Sequence, residues 1–246
     1  MKKIAPILIA LVLAFASCSK SDTPQPQSSI ILPKKMVSTD SGGTTTDVLS
    51  YVGNKLATRT SDDGSKEIYS YTGNLITKIE FSNPSNVVNE TSNYSYSNGR
   101  LAFETFVYSS IVETINYTYN SDGTVSFVKT SFDSKTNNTT TFYSGKYTYL
   151  NSNLVKKEVV SSGSSSTTIY EYDVKNSLGK NIEGFSLLIG NEETISVNNC
   201  TKFTKTYVGN MTPSIQTNQY TYNSDNYPIS VAAVAPFFSH TVQYFY

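Results

Sequence analysis

The sequence predicts an all-β fold, an antiparallel up-and-down meander that closes or rolls into a barrel, and three observations carry that expectation. The first is composition: the 246 residues are 38% hydrophobic, 15% charged and 13% aromatic, with 19 Tyr, 12 Phe and no Trp. Tyrosine, threonine, valine and phenylalanine suit the pleated, half-buried surface of a strand, while serine, asparagine and glycine suit turns. The second is a recurring unit, plainest in Tyr94-Ser95-Tyr96-Ser97-Asn98-Gly99-Arg100-Leu101. Its tyrosines lie two apart and share one face of a strand, and Asn-Gly supplies the positive φ angles of a tight hairpin turn. The third is the period. Tyrosine pairs begin at 69, 94, 117, 147, 170, 220 and 244, with steps of 25, 23, 30, 23, 50 and 24 residues. A repeat of about 24 residues holds two strands and two turns, so each repeat is one hairpin.

The N-terminus predicts the compartment. Residues 1–17 combine Lys2 and Lys3, an apolar run from Ile4 to Phe15, and small Ala16-Ser17, the pattern of a secretory leader. The run is shorter than the ~20 apolar residues of a membrane-crossing helix. Phe15-Ala16-Ser17-Cys18 resembles a bacterial lipobox with Phe15 in place of the usual Leu, so Cys18 is the expected lipid attachment site and first mature residue. Residues 18–29 then form a polar, Pro-containing tether, and 30–246 a single β-repeat domain. Ser19-Lys20-Ser21-Asp22 resembles the charged export signals of Bacteroidetes surface lipoproteins. The expected location is the outer membrane, on its cell-surface or periplasmic face, held by acyl chains at ~0.8 kcal/mol per buried CH₂.

In chain order, Ile30–Asp40 reads as an edge strand tolerant of Pro33, followed by a turn at Asp40-Ser41-Gly42-Gly43 and a strand over Thr44–Val52. Further turns are expected at Gly53-Asn54, Asp62-Asp63-Gly64, Gly73-Asn74, Asn83-Pro84-Ser85, Asn98-Gly99 and Asp122-Gly123. Beyond Asn98-Gly99, alternation places Leu101, Phe103, Thr105 and Val107 on one face and Ala102, Glu104, Phe106 and Tyr108 on the other. The step of 30 residues is explained by a long polar hairpin tip at Asp133–Thr141. The 50-residue step contains the one irregular region: alternation stops at Tyr172-Asp173-Val174-Lys175-Asn176, and a short helix or crossing segment near 176–190 is expected to cap an open end of the sheet. Hairpins resume over Cys200–Val208. In all, about 14–18 strands follow in simple succession, more than an open twisted sheet carries without curling, so closure is expected.

The residues also carry a resemblance. Leu32-Pro33-Lys34-Lys35, the repeated Tyr-x-Tyr-x-x-(Asn/Asp)-Gly-x-Leu, the break at Tyr172-Asp173-Val174-Lys175-Asn176 and Val197-Asn198-Asn199 resemble uncharacterised Bacteroidetes lipoprotein domains described as having a porin-like fold. The likeness covers roughly Ile30 to Tyr246, with Ser177 standing where a proline is usual. The unit is more distantly similar to the tyrosine–aspartate repeats of Rhs-type proteins. The resemblance implies an antiparallel meander and no established activity.

Several function classes find no support in the sequence. Charge is balanced at 19 Lys+Arg against 19 Asp+Glu, and loss of Lys2 and Lys3 with the leader leaves 17 against 19, so no basic excess points to nucleic acid. Lys34-Lys35 and Lys156-Lys157 read as solvated strand positions. With one histidine, His240, and one cysteine beyond Cys18, Cys200, there is no cluster of metal ligands and no catalytic set, and neither an enzyme nor a cofactor is expected. Cys200 reads as a buried small hydrophobe. Glu192-Glu193 reads as a solvated loop rather than a carboxylate pair. An integral outer-membrane barrel is disfavoured by charges at Lys78, Glu80, Glu113, Lys156, Lys157 and Glu158 on candidate strands. The expected role is a monomeric, non-catalytic binding or interaction module for a glycan, a peptide or an apolar molecule, with a structural scaffold of the envelope as the alternative. The tyrosines read first as cross-strand packing, and the region around Asp173–Asn199 and the hairpin tips as the better places for a site.

Overall fold

The computed structural model describes residues 30–246, apart from 191–195, 210–211 and 236–237 and the side chain of Phe238. The leader, Cys18, the tether and Glu192-Glu193 thus lie outside the described residues. Sixteen strands follow in order: β1 (Lys35–Asp40), β2 (Gly43–Val52), β3 (Lys55–Ser61), β4 (Lys66–Thr72), β5 (Leu75–Ser82), β6 (Val88–Ser97), β7 (Arg100–Tyr108) and β8 (Ile111–Tyr119), then β9 (Val125–Asp133), β10 (Asn138–Leu150), β11 (Asn153–Ser161), β12 (Ser164–Tyr172), β13 (Cys200–Tyr207), β14 (Ser214–Tyr222), β15 (Pro228–Ala235) and β16 (Phe238–Phe245). Each is antiparallel to its neighbours in sequence, and β1 pairs with β16 to close a barrel. The expected edge strand is therefore not an edge: Met36 faces Tyr244 on one side and Asp47 on the other. Closure removes the edges, and Pro33, which cannot donate to a ladder, is buried just ahead of β1.

All the tyrosine-unit turns gather at one end of the barrel. Asn98 and Gly99 both take positive φ, 51° and 73°, the signature of a type I′ turn. Asn151 and Ser152 hold the same conformation at 51° and 61°. Serine there carries a left-handed strain that glycine lacks, so Ser152→Gly is expected to raise stability by about 0.5–1 kcal/mol in denaturant titration.

One regularity is invisible in the repeat pattern. The register shifts just before the second tyrosine of a unit, at Ser50/Tyr51, Ser70/Tyr71, Ser95/Tyr96, Thr148/Tyr149, Glu171/Tyr172 and Thr221/Tyr222. In the first two-residue hairpins the strand after the turn therefore begins with a bulge, and the residue opposite the tyrosine, Leu56, Ile76, Leu101 or Leu154, is at most 1% exposed. A bulge takes a carbonyl out of the ladder, and a buried carbonyl needs a donor. The second tyrosine of the next unit supplies it. Tyr96 Oη donates to the Ile76 carbonyl (2.8 Å), Tyr119 to Leu101 (3.1 Å), Tyr172 to Leu154 (2.7 Å) and Tyr246 to Pro228 (2.8 Å). Tyr51 closes the ring with the Pro33 carbonyl at 2.7 Å. Four of the units are thus laced to the hairpin before them and Tyr51 to the segment ahead of β1, while Tyr222 donates instead to Asp173.

The bulge also corrects the face assignment made from alternation. Leu101 points inward, yet Phe103 is 39% exposed and points outward, because the extra residue at Ala102 flips the phase. Glu104 and Phe106 are the inward residues that follow.

The irregular region inserts into the tyrosine end of the lumen. Its only helical turn among the described residues is a 3₁₀ segment, Phe185–Leu187. Ile182, Phe185 and Leu188 are buried with Leu49, Leu56, Ile76 and Ile79, while Ile189 joins a second cluster built on Leu101, Phe127, Tyr147 and Leu154. The segment is pinned around the rim. Glu183 N donates to the Asn54 carbonyl (3.0 Å), Asn181 Nδ2 to the Ile31 carbonyl (3.0 Å), Asn176 N to the Asn226 carbonyl (3.0 Å) and Asn153 Nδ2 to Asn198 Oδ1 (3.0 Å). Asp173 anchors its start, accepting from Tyr222 Oη and from the backbone of Lys175 and Asn199.

Candidate functional site: the barrel lumen

With one end filled, the lumen is reached from the end that carries the other set of hairpins. Its wall is divided by charge. From β2 to β8 the inward positions hold Asp47, Glu67, Glu90, Glu104 and Glu113 together with Arg59; from β9 to β13 they hold Lys129, Lys157 and Lys205. Arg59 sits between two carboxylates, 2.6 Å from Asp47 and 3.3 Å from Glu67, and this pairing keeps the guanidinium charged despite burial. Tyr69 Oη donates to Glu67 at 2.6 Å, and burial beside that carboxylate raises the phenol well above its ordinary range. Lys129 bridges to Glu113 at 2.6 Å at the seam between the two halves.

Glu104 is only 4% exposed and accepts from Tyr117 Oη at 2.6 Å. Burial raises its pKa, against smaller opposing effects from the Tyr117 hydroxyl and the Lys129 charge. The capping segment comes up against it, since a Cβ on Gly190 would overlap Glu104 Oε1 and the Tyr117 hydroxyl. A carboxyl with a raised folded-state pKa holds its proton in the fold at pH values where the unfolded chain has released it. The contribution of Glu104 to stability is therefore greatest below the unfolded value of ~4.3 and falls as pH rises from there through the folded-state pKa. Glu104→Gln keeps the acceptor and removes the charge, and is expected to be more stable than wild type at pH 7 by on the order of 1 kcal/mol, with the difference gone near pH 4. Denaturant melts at the two pH values check this; a destabilised variant at pH 7 would contradict it.

Two cavities open on the accessible side. One of 440 Å³ lies beside Arg59, Glu67, Phe81 and Glu90. The other, 350 Å³, is lined by Tyr143, Lys157, Val159, Ser166, Thr168, Tyr170, Phe203 and Lys205. Both fall within the size range of small-molecule sites. The repeat tyrosines mostly face the core or the rim, and among them only Tyr170 lines the second cavity. Packing, rather than ligand contact, accounts for their number.

The residues singled out from sequence are dispersed. Cys200 is half-buried on β13, its Sγ 3.4 Å from the Lys202 carbonyl, rather than fully buried. His240 is on β16, separated from it by β14 and β15. Among the described residues no group of three His, Cys, Asp or Glu side chains forms a metal set. Lys156 and Lys157, expected as a solvated pair, part company: Lys156 ties to Glu158 on the outer face at 2.8 Å, while Lys157 lines the lumen. Sequence reasoning missed Lys157, Lys205 and Arg59 as lumenal groups. The signal exists in their positions two residues from core residues such as Val159 and Phe203, but only once the bulges have fixed the phase.

No protein-family model and no curated protein matches the chain. Solved structures do resemble it. A porin-like protein from Bacteroides vulgatus superposes with a TM-score of 0.62 at 12% identity, covering 87% of this chain and 98% of that one. A porin-like protein from Bacteroides uniformis gives a TM-score of 0.49 at 11% identity over 87% of this chain and 97% of that one. At such identity the first match establishes what the register also shows, a porin-like closed β-barrel.

Proposed function

We propose that this chain is an envelope lipoprotein that binds a small molecule in a one-ended barrel, without catalysis, while anchored through acylated Cys18. The observation that carries the reading is that residues 173–190 and 196–199 fill the tyrosine end of the lumen, while cavities of 440 and 350 Å³ lie on the accessible side. A pore needs two open ends; a binding cup needs one. The outer wall favours water over lipid as its surroundings. Its outward positions are rich in threonine and serine and carry the ion pairs Lys78–Glu80, Lys156–Glu158 and Lys202–Glu171. Lysine or arginine on the lipid face near the bilayer midplane costs about 2–4 kcal/mol, which counts against the integral-barrel alternative. Apolar side chains share this outer surface, among them Phe103, Val128, Ile169 and Val234 and a row of Val107, Val112 and Phe132 across three strands.

Two measurements test the reading. Cys18→Ala should move the protein from the membrane to the soluble fraction, and retention in the membrane would contradict lipid anchoring. A thermal-shift screen of the mature protein against small amphiphilic molecules should find saturable stabilisation, about 2.7 kcal/mol at a hundredfold excess over Kd. No shift across the panel would favour a structural scaffold.

A further inference from the structure

The 440 Å³ cavity contains a charge that the protein leaves unmatched, and from it we infer that this part of the lumen takes a small organic cation, an ammonium group carried on a ring-sized apolar body. This rests on the binding reading above and specifies its ligand. Four adjacent strands place Arg59, Glu67, Phe81 and Glu90 abreast on the inner face, each the register partner of the next. All four line the cavity. Strands are spaced ~4.8 Å apart, so the stems of Glu67 and Glu90 stand about 10 Å from each other with the Phe81 side chain between them.

The pairing of charges around the cavity leaves one carboxylate over. Arg59 gives Nη2 to Asp47 at 2.6 Å and Nη1 to Glu67 Oε1 at 3.3 Å, and the second oxygen of Glu67 accepts from Tyr69 Oη at 2.6 Å. Lys66, at the mouth, donates to Asn86 Oδ1 at 3.1 Å in the loop after β5. Glu90 is half-buried and has neither a hydrogen bond nor an ion pair among the described residues. A carboxylate partly withdrawn from water is unfavourable without a partner, and an ammonium group supplies both the opposite charge and the N–H donors. A second group points the same way. Ser82 lines the cavity at 6% exposure, and its hydroxyl has no hydrogen-bond partner among the described residues. An ammonium carries up to three N–H donors, so one such head can serve more than one acceptor. An anion fits worse. Arg59 Nε is unpaired, but the guanidinium charge is already shared by two carboxylates, and an incoming anion would meet Glu90. Phe81 is half-buried and packs against the apolar cluster behind it, which gives the ligand a ring for its body and a cation–π contact for its charge. A bare metal ion makes no use of that ring, and among the described residues no metal-ligating set of three gathers.

Two fluorescent probes with one skeleton isolate the charge: 1-naphthylmethylamine, protonated at neutral pH, and 1-naphthalenemethanol, in which a hydroxyl replaces the ammonium. The mature protein should bind the amine saturably and at least tenfold more tightly than the alcohol. Glu90→Gln should weaken the amine at least tenfold and leave the alcohol unchanged. Glu80→Gln, on the outer face of β5 where Glu80 pairs with Lys78 at 3.0 Å, should change neither. Equal responses of the amine to the two substitutions would overturn the inference. Binding of the alcohol as tight as that of the amine would overturn it too, while leaving a lumenal binding site in place. Failure of both probes to bind would overturn the inference and remove the support that this cavity lends to the binding reading.

Discussion

Gly145→Ala is expected to destabilise the barrel by about 3 kcal/mol or more, the upper end of what overpacking a core costs. Gly145 sits in β10 opposite Phe127 and Val159. A Cβ at this position would overlap the Glu158 carbonyl oxygen and the edge of the Phe127 ring. The ring cannot move away cheaply, because it is 2% exposed and stacked on Tyr147 with centroids 4.5 Å apart. Nor can the carbonyl, which belongs to a neighbouring strand. Gly145→Ala should therefore show a large fall in denaturant midpoint with an unchanged m-value. Combining it with Phe127→Leu should recover part of the loss beyond additivity, since one of the two overlapping groups is then removed. Strict additivity would mean that the ring is not what the glycine accommodates.

Phe185→Ala is expected to cost about 3–5 kcal/mol if the loss is shared by the whole barrel, the usual range for truncating a buried aromatic. Phe185 is 8% exposed, stacks on Tyr69 with centroids 6.0 Å apart, and packs among Leu49, Leu56, Ile76 and Ile79. It is the largest apolar side chain that the capping segment puts into that cluster. Because the cap is tied to the rim by hydrogen bonds rather than by strand pairing, part of the response should be local: amides of Ile182 to Ile189 should exchange faster than those of β5 and β6. A uniform change in exchange across the barrel would show instead that cap and barrel open only together.

Much of this architecture is legible in the sequence, and its limits have a physical origin. Tyrosine spacing and Asn-Gly or Gly-Asn turns locate the hairpins because turn geometry and same-face pairing are local properties. The strand succession, the closure of the sheet and the capping role of the region after Tyr172 follow from them. Bulges are a different matter. The pattern around Leu101 to Val107 reads as one uninterrupted alternation, yet a single extra residue puts Leu101 inside and Phe103 outside. An equivalent shift, with Val155 as the extra residue, hides the lumenal lysine in Lys156-Lys157. A copy of the unit at Leu49-Ser50-Tyr51 is also concealed, as leucine replaces the first tyrosine while Tyr51 still laces back to Pro33. The division of the lumen into acidic and basic walls depends on strands distant in sequence and has no local signature.

Cysteine accessibility tests most directly whether the barrel is sealed at its tyrosine end and open at the other. In a mature protein whose Cys200 is replaced by serine, Ser166→Cys lies beside the 350 Å³ cavity, whereas Ser196→Cys lies in the cap, where Ser196 is 5% exposed and bonded to Leu154 N and Tyr172 Oη. A charged maleimide should label position 166 quickly and position 196 only on the timescale of unfolding. Rapid labelling at 196 in the folded protein, with 166 protected, would contradict a lumen capped by residues 173–190 and 196–199.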